Sequence, residues 1–266
     1  MRRLLLAAMM FGAASGAEAA DLPFLRGSFT DGLTTAKVNW QGYYIGAHAG
    51  YGSADENFNG STSNMMAALL ADTLVESQMQ VSRWNLGLGK ASARSSGYGG
   101  FAGYNWQWDD VIVGVEASYL HGKFGGSTNA SEGRSQTLSD GFVHNVTAAS
   151  QAAISITDMA TLRARAAYAF GCFLPYAYAG VALGNANITR TVTATDVMMP
   201  GPIVLPTLTS TDAMHNHLIY GYSFGVGVDV NLIGGLFMRG EWEYVRFTSQ
   251  VDTSINTVRA GLGYKF

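Results

Sequence analysis

The stretch that most constrains this chain is its end, Thr253 to Phe266, which finishes Val258-Arg259-Ala260-Gly261-Leu262-Gly263-Tyr264-Lys265-Phe266. Side chains alternate across a strand, so Val258, Ala260, Leu262, Tyr264 and Phe266 share one face and Arg259, Gly261, Gly263 and Lys265 share the other. In a soluble sandwich the apolar face is core and the polar face meets water. A transmembrane barrel inverts this, with the apolar face toward lipid and the small and charged face toward the lumen. One strand fits either, so the chain before it decides.

The N-terminus reads as a secretory signal peptide over residues 1–19. Arg2 and Arg3 form its basic start, Leu4 to Ala14 its apolar run, and Ala17-Glu18-Ala19 an A-x-A cleavage site. That run is too short to span a membrane as a helix, and no later apolar run is long enough. Without residues 1–19, 16 − 2 = 14 basic and 19 − 1 = 18 acidic side chains remain, a net charge of −4 that gives no sign of nucleic-acid binding. The single cysteine, Cys172, excludes an internal disulfide framework. Only 13% of residues are charged, while Gly numbers 33, Tyr 13, Phe 13 and Trp 5. That combination suits short alternating strands with aromatic girdles at two membrane interfaces.

Residues 20–39 read as a periplasmic lead-in to a barrel over 40–266. Trp40 to Gly52 opens it, with Tyr43, Ile45, Ala47, Ala49 and Tyr51 outward and Tyr44, Gly46, His48 and Gly50 inward. A long connection over 53–96 carries Met66, Leu69, Leu70, Thr73 and Leu74 at helical spacing, which predicts a short helix over the barrel mouth with Ser63 or Asn64 as its N-cap. Strands follow at Gly97–Trp108, Val111–Lys123, about Thr161–Tyr168, Leu174–Ile188, His217–Val230, Leu236–Phe247 and the closing segment. Polar loops near 124–150 and in the Pro-containing 198–206 region separate some of them, and tight turns join the others. Connections thus alternate long and short, with the long ones at one end. An exported soluble sandwich has no reason for that, whereas outer-membrane barrels have short periplasmic turns, longer outer loops and an even strand count. The expected fold is all-β, an eight-stranded antiparallel transmembrane barrel with a short helix in the first extracellular loop.

Several strands also resemble a known family. Trp40-Gln41-Gly42-Tyr43-Tyr44-Ile45-Gly46, Thr161-Leu162-Arg163-Ala164-Arg165, Arg239-Gly240-Glu241-Trp242-Glu243-Tyr244 and the closing Val258 to Phe266 resemble the alphaproteobacterial small outer-membrane proteins, immunogenic, porin-like surface barrels with an OmpA-type membrane domain. The resemblance covers roughly residues 38–52 and 94–266 and not the loops. It implies a Gram-negative outer membrane, contact with its lipid and lipopolysaccharide, and insertion by the barrel-assembly machinery. Tyr264 and Phe266 stand where that family carries its aromatic assembly signal.

Inward positions predict a structural charge network of Glu116, Arg163, Arg165, Asp229, Arg239, Glu241, Glu243, Arg259 and Lys265, since ionisable groups at membrane depth pair across the interior. Glu241 and Glu243 lie about 7 Å apart along a strand, a spacing that also admits an acid/base pair. His215-x-His217 admits a metal only with a third ligand, and none stands at a clear spacing. No Gly-x-Ser-x-Gly elbow or phosphate-binding loop appears. The sequence therefore points to a structural surface barrel with no catalytic residue, cofactor or metal, whose loops meet an unidentified extracellular ligand. A narrow diffusion pore and a lipid-modifying enzyme are the alternatives. With no residues after Phe266, a tether to a further periplasmic domain is not expected.

Overall fold

The computed structural model describes residues 38–84, 86–248 and 251–266; the signal peptide and most of the lead-in lie outside the described residues. Ten strands and two short helices are present among them. They are β1 (Gly42–Asn57), α1 (Ser63–Leu69), α2 (Leu74–Met79), β2 (Lys90–Trp108), β3 (Val111–Phe124), β4 (Ser127–Thr137), β5 (Val143–Tyr168), β6 (Phe173–Met199), β7 (Ile203–Val204), β8 (Leu208–Ile233), β9 (Leu236–Phe247) and β10 (Asp252–Lys265). All pairings are antiparallel. They run β1-β2-β3-β5-β6-β8-β9-β10, and β10 returns to β1 with Tyr44 opposite Lys265 and Tyr51 opposite Val258. Eight strands form a closed ring; β4 and β7 pair only with the far ends of β5 and β6.

Alternation sets the two faces as the residue pattern requires. Tyr43, Ile45 and Tyr51 of β1, Val111, Val113 and Val115 of β3, and Tyr220, Tyr222, Phe224 and Val226 of β8 are exposed. They form an apolar belt about ten residues tall, the height of a membrane-spanning strand. Trp106, Trp108, Tyr168, Tyr264 and Phe266 ring its lower edge, and Tyr51, Tyr98, Tyr119 and Tyr220 its upper edge. At the lower end the turns are tight. Asp109 and Gly234 adopt positive φ in two of them, at 53° and 57°.

The interior is stacked in layers. Just above the tight turns Trp40, Tyr44, Phe101, Ile112, Leu174, Tyr176 and Phe237 form an apolar floor. Charged side chains lie above it, and then a second apolar layer that includes Leu120, Phe124, Ile156, Met159, Ile219 and Phe247. An eight-stranded ring is only wide enough for side chains to fill it, and the filling is strictly apportioned. A Cβ at Gly225 would sit 2.5 Å from the Tyr178 hydroxyl, and one at Gly227 would sit 2.5 Å from the Tyr176 ring. Glycines at those positions are what let the two tyrosines point inward.

The upper end departs from the expected polar loops. β5, β6 and β8 run 26, 27 and 26 residues, well past the belt. The segments read as loops near 124–150 and 189–216 are thus largely strand, and β2 starts at Lys90 rather than Gly97. Ala148, Ala152, Ala186 and Val192 are buried there, so small residues among Ser and Thr still build an inner face. The expected single helix is two, separated because Asp72 takes φ +62°. Thr62, not Ser63 or Asn64, holds the α1 N-cap position and makes no side-chain cap, whereas Thr73 caps α2 by accepting from the Glu76 N–H. The helices cover the extended sheet: Met66, Leu70, Val75, Met79 and Trp84 pack on Val146, Ala148, Val192 and Ala194.

A ring with no free edge resists mild detergent, so unheated and heated samples are expected to migrate differently on a gel. Phe124 is fully buried where membrane barrel and outer sheet meet. Phe124→Ala should lower stability by about 3–5 kcal/mol, read as an earlier urea midpoint for loss of the fast-migrating form.

Candidate functional site

Register brings opposite charges together inside the ring. Glu116 faces Arg163 across β3–β5, Asp229 faces Arg239 across β8–β9, and Glu241 faces Arg259 across β9–β10. Arg239 grips Asp229 with two hydrogen bonds, Nε to Oδ1 at 2.8 Å and a terminal nitrogen to Oδ2 at 2.9 Å, and reaches Glu116 at 2.8 Å. Arg163 donates through Nε to Glu116 at 2.8 Å and also to Glu241 and Glu243, at 3.0 and 3.3 Å. Arg165 joins Asp229 at 2.8 Å and Glu116 at 3.3 Å, while Arg259 is ion-paired with Glu241 and Glu243. Four guanidiniums meet four carboxylates, so the cluster balances at 4 − 4 = 0 among the described residues.

Aromatic groups complete the cage. Arg163 lies 4.0 Å from the Tyr178 ring centroid, Arg165 4.0 Å from Tyr176 and Arg239 3.8 Å from Phe101. The Tyr44 hydroxyl donates to Glu116 at 2.8 Å and Tyr176 to Glu241 at 3.0 Å. Both Glu241 and Glu243 are thus held by arginines, a geometry of counter-ions rather than of an acid/base couple facing substrate space. Lys265 is the exception among the inward charges. It sits half-buried at the lower rim and makes no ion pair among the described residues, because β10 ends there beside Gly235. His48 is buried and stacked on Phe101.

His215 and His217 are exposed on either side of Asn216, whose φ of +54° marks a bulge, and among the described residues no metal-ligating cluster forms around them. His121 pairs instead with Asp158 at 2.8 Å. A concavity of about 530 Å³ lies on the outer apolar belt between Ile45, Ala102 and Leu162, with Tyr119 at its wall.

A second titratable cluster lies above the belt, where the residue pattern offered no signal. His144, at the start of β5, is buried; its Nδ1 is 2.6 Å from Asp196 on β6 and its Nε2 2.9 Å from Asp140. The residues are 52 and 4 positions away, so only the β5–β6 pairing gathers all three. Burial opposes a charge on His144, but the hydrogen bonds to Asp196 and Asp140 outweigh it and hold the imidazole pKa above its ordinary value. The adjoining turn is tied to α2: Gln78 donates to the Ser139 hydroxyl at 2.5 Å, and the Ser139 N–H donates back at 3.1 Å. Glu56, near the upper end of β1, is also buried, and neither carboxyl oxygen has a hydrogen-bond partner among the described residues. Burial first, and then the Asp55 charge, push it up to about 7.

Removing one member of the lumen network strands its partners, which costs more than the pair contributes. Glu116→Ala should therefore lose about 3–5 kcal/mol, measured by urea denaturation of the membrane-inserted protein. Above the belt the sign of pH dependence is the same for both groups. His144 has a raised native pKa, so its stabilisation is complete below the ordinary histidine pKa of about 6.5 and lost as pH rises through the native value. Glu56 is also more readily protonated in the native state, so stability falls as pH rises from 4.5 to about 7. Hydrogen exchange corrected for intrinsic rates should show α1 and α2 opening more often at pH 8 than at pH 5. His144→Gln and Glu56→Gln should each flatten that dependence.

Comparison with known proteins agrees with this architecture. Residues 4–266 match the model of the outer membrane protein beta-barrel domain. The chain is 22% identical over 230 residues to a 25 kDa outer-membrane immunogenic protein of Brucella ovis, covering 86% of this chain and 80% of that one. It is 24% identical over 195 residues to a 22 kDa outer membrane protein of Rhizobium leguminosarum bv. viciae, covering 69% and 73%. Among solved structures it is similar to the attachment invasion locus protein of Yersinia pestis, at 12% identity and a TM-score of 0.34, covering 85% of this chain and 99% of that one. Both relatives carry the names of outer-membrane proteins rather than of enzymes. The closed ring, its apolar belt and a family match along nearly the whole sequence lead to one conclusion: this chain belongs to the outer-membrane β-barrel domain family and is a protein of the Gram-negative outer membrane.

Proposed function

We propose that the chain is a closed structural barrel, one that anchors and displays a folded extracellular platform and neither conducts solutes nor catalyses a reaction. The observation that carries this reading is the filled lumen. Arg239 has a fully buried side chain at mid-depth, inside a charge-balanced network capped above and below by apolar layers. A diffusion path would have to break ion pairs whose partners then have no water to turn to. Display is supported by the upper half, which has its own core of helices and strands beyond the belt. The Brucella relative is named as immunogenic, which fits a surface-presented protein.

On this reading the apolar belt contacts outer-membrane lipid and lipopolysaccharide, the platform meets an extracellular ligand, and the machinery that inserts barrels reads Tyr264 and Phe266 on the outer face of β10. In planar bilayers the protein should give no discrete conductance steps. Replacing Arg163 and Arg165 together by Ala should leave the baseline silent or open a leak absent from the parent. A stable parental conductance whose ion selectivity changes in the double variant would establish the pore instead.

A further inference from the structure

Between the helices and the extended sheet lies a cavity of about 420 Å³, within the range of small-molecule sites. Its walls include Leu70, Val75, Val146, Ala194, Met198 and Leu208, and its polar side is Asp140, His144 and Asp196. Both imidazole nitrogens of His144 point at carboxylates, and an ionised carboxylate only accepts. Two such bonds require both nitrogens to donate, so His144 is charged there. The polar side then totals −1 + 1 − 1 = −1. The excess is not spread evenly. Asp196 is buried and its Oδ1 has no hydrogen-bond partner among the described residues. Asp140 is one-third exposed at the cavity wall; it accepts from the Phe142 N–H and from His144, with lone pairs to spare. The other polar side chains bordering the space are spent locally: Thr73 donates to the Leu70 carbonyl and accepts from Glu76, and Thr195 donates to the Thr147 carbonyl.

We propose that this cavity binds an amphiphilic organic cation, with an apolar chain or ring against Leu70, Ala194 and Met198 and an ammonium group on Asp140. Apolar walls select the body of the ligand, and the uncompensated carboxylate charge selects its head. A neutral head recovers the apolar contact alone, and an anionic head meets repulsion. The site lies above the membrane belt and is independent of whether the lumen conducts.

The test uses the full-length protein in lipid nanodiscs, with ¹³C-methyl methionine reporting from Met198 in the cavity wall. Titration with 4-phenylbutylammonium should shift the Met198 methyl resonance saturably. 4-Phenylbutan-1-ol, with the same body and a neutral head, should bind about tenfold or more weaker, a difference of ~1.4 kcal/mol. Asp140→Asn should weaken the amine by a similar factor and leave the alcohol unchanged, while Ala194→Phe, which fills the cavity, should abolish both. Equal binding of amine and alcohol by the parent protein overturns the assignment of the head group. An unmoved Met198 resonance, or undiminished amine binding by Ala194→Phe, overturns the site itself. The comparison of two probes on the unaltered protein stands even where a variant folds poorly.

Discussion

In hydrocarbon a backbone N–H or C=O has no water to fall back on, and each unpaired group costs several kcal/mol. A chain that crosses the membrane by strands must therefore close its sheet, and the pairing of β1 with β10 from Tyr44–Lys265 to Asn57–Asp252 does this. Closure with eight strands leaves an interior that side chains must fill. Large inward aromatics then need small residues beside them on the neighbouring strand, which is why Tyr176 and Tyr178 on β6 lie opposite Gly227 and Gly225 on β8. The high glycine content is a consequence of the narrow ring.

Filling such a space with ions carries a desolvation cost that only close, complete pairing offsets. The network meets that condition through cross-strand register, since Glu116–Arg163, Asp229–Arg239 and Glu241–Arg259 are direct neighbours. Slippage of one strand by one residue would turn its charges toward lipid. The ion pairs thus select one register and one strand order as much as they stabilise it. The apolar layers on either side keep water from competing for them.

Above the belt the constraint changes. Strands that outrun the membrane form a sheet exposed to water on both faces unless something covers one of them. The α1 and α2 helices cover the β5–β6 face, and the Gln78–Ser139 pair and the Asp140–His144–Asp196 cluster fasten their edge. β4, the open edge of this sheet, is rich in Ser, Thr and Asn and carries Glu132 and Arg134, a composition that discourages pairing with another chain. The same cover leaves an apolar-walled pocket open on its Asp140 side.

Period-two alternation is local information, and it was enough to place Val111, Val113 and Val115 outward and Arg163, Arg165, Glu241 and Glu243 inward from the sequence alone. It also determined the number of strands in the closed ring and the end at which the turns are tight, because Asp109-Asp110 and Asn231 to Gly235 interrupt alternation so briefly, but not the short β4 and β7 beyond the ring. What it does not carry is depth and partnership. Lys265 shares a face with Arg259, yet register leaves it at the rim without an ion pair among the described residues. The outer halves of β5, β6 and β8 read as loops because their alternating Ala, Ser, Thr and Asn differ too little in polarity to mark a face. His144 and Asp196 stand 52 residues apart in unremarkable surroundings, and only the β5–β6 ladder joins them. The sequence determined which way residues face in the strands that alternate clearly, though not in Leu174 to Ile188, because facing depends on adjacent residues. The tertiary structure alone decided which charges meet and where a cavity remains, because those depend on strands distant in the chain.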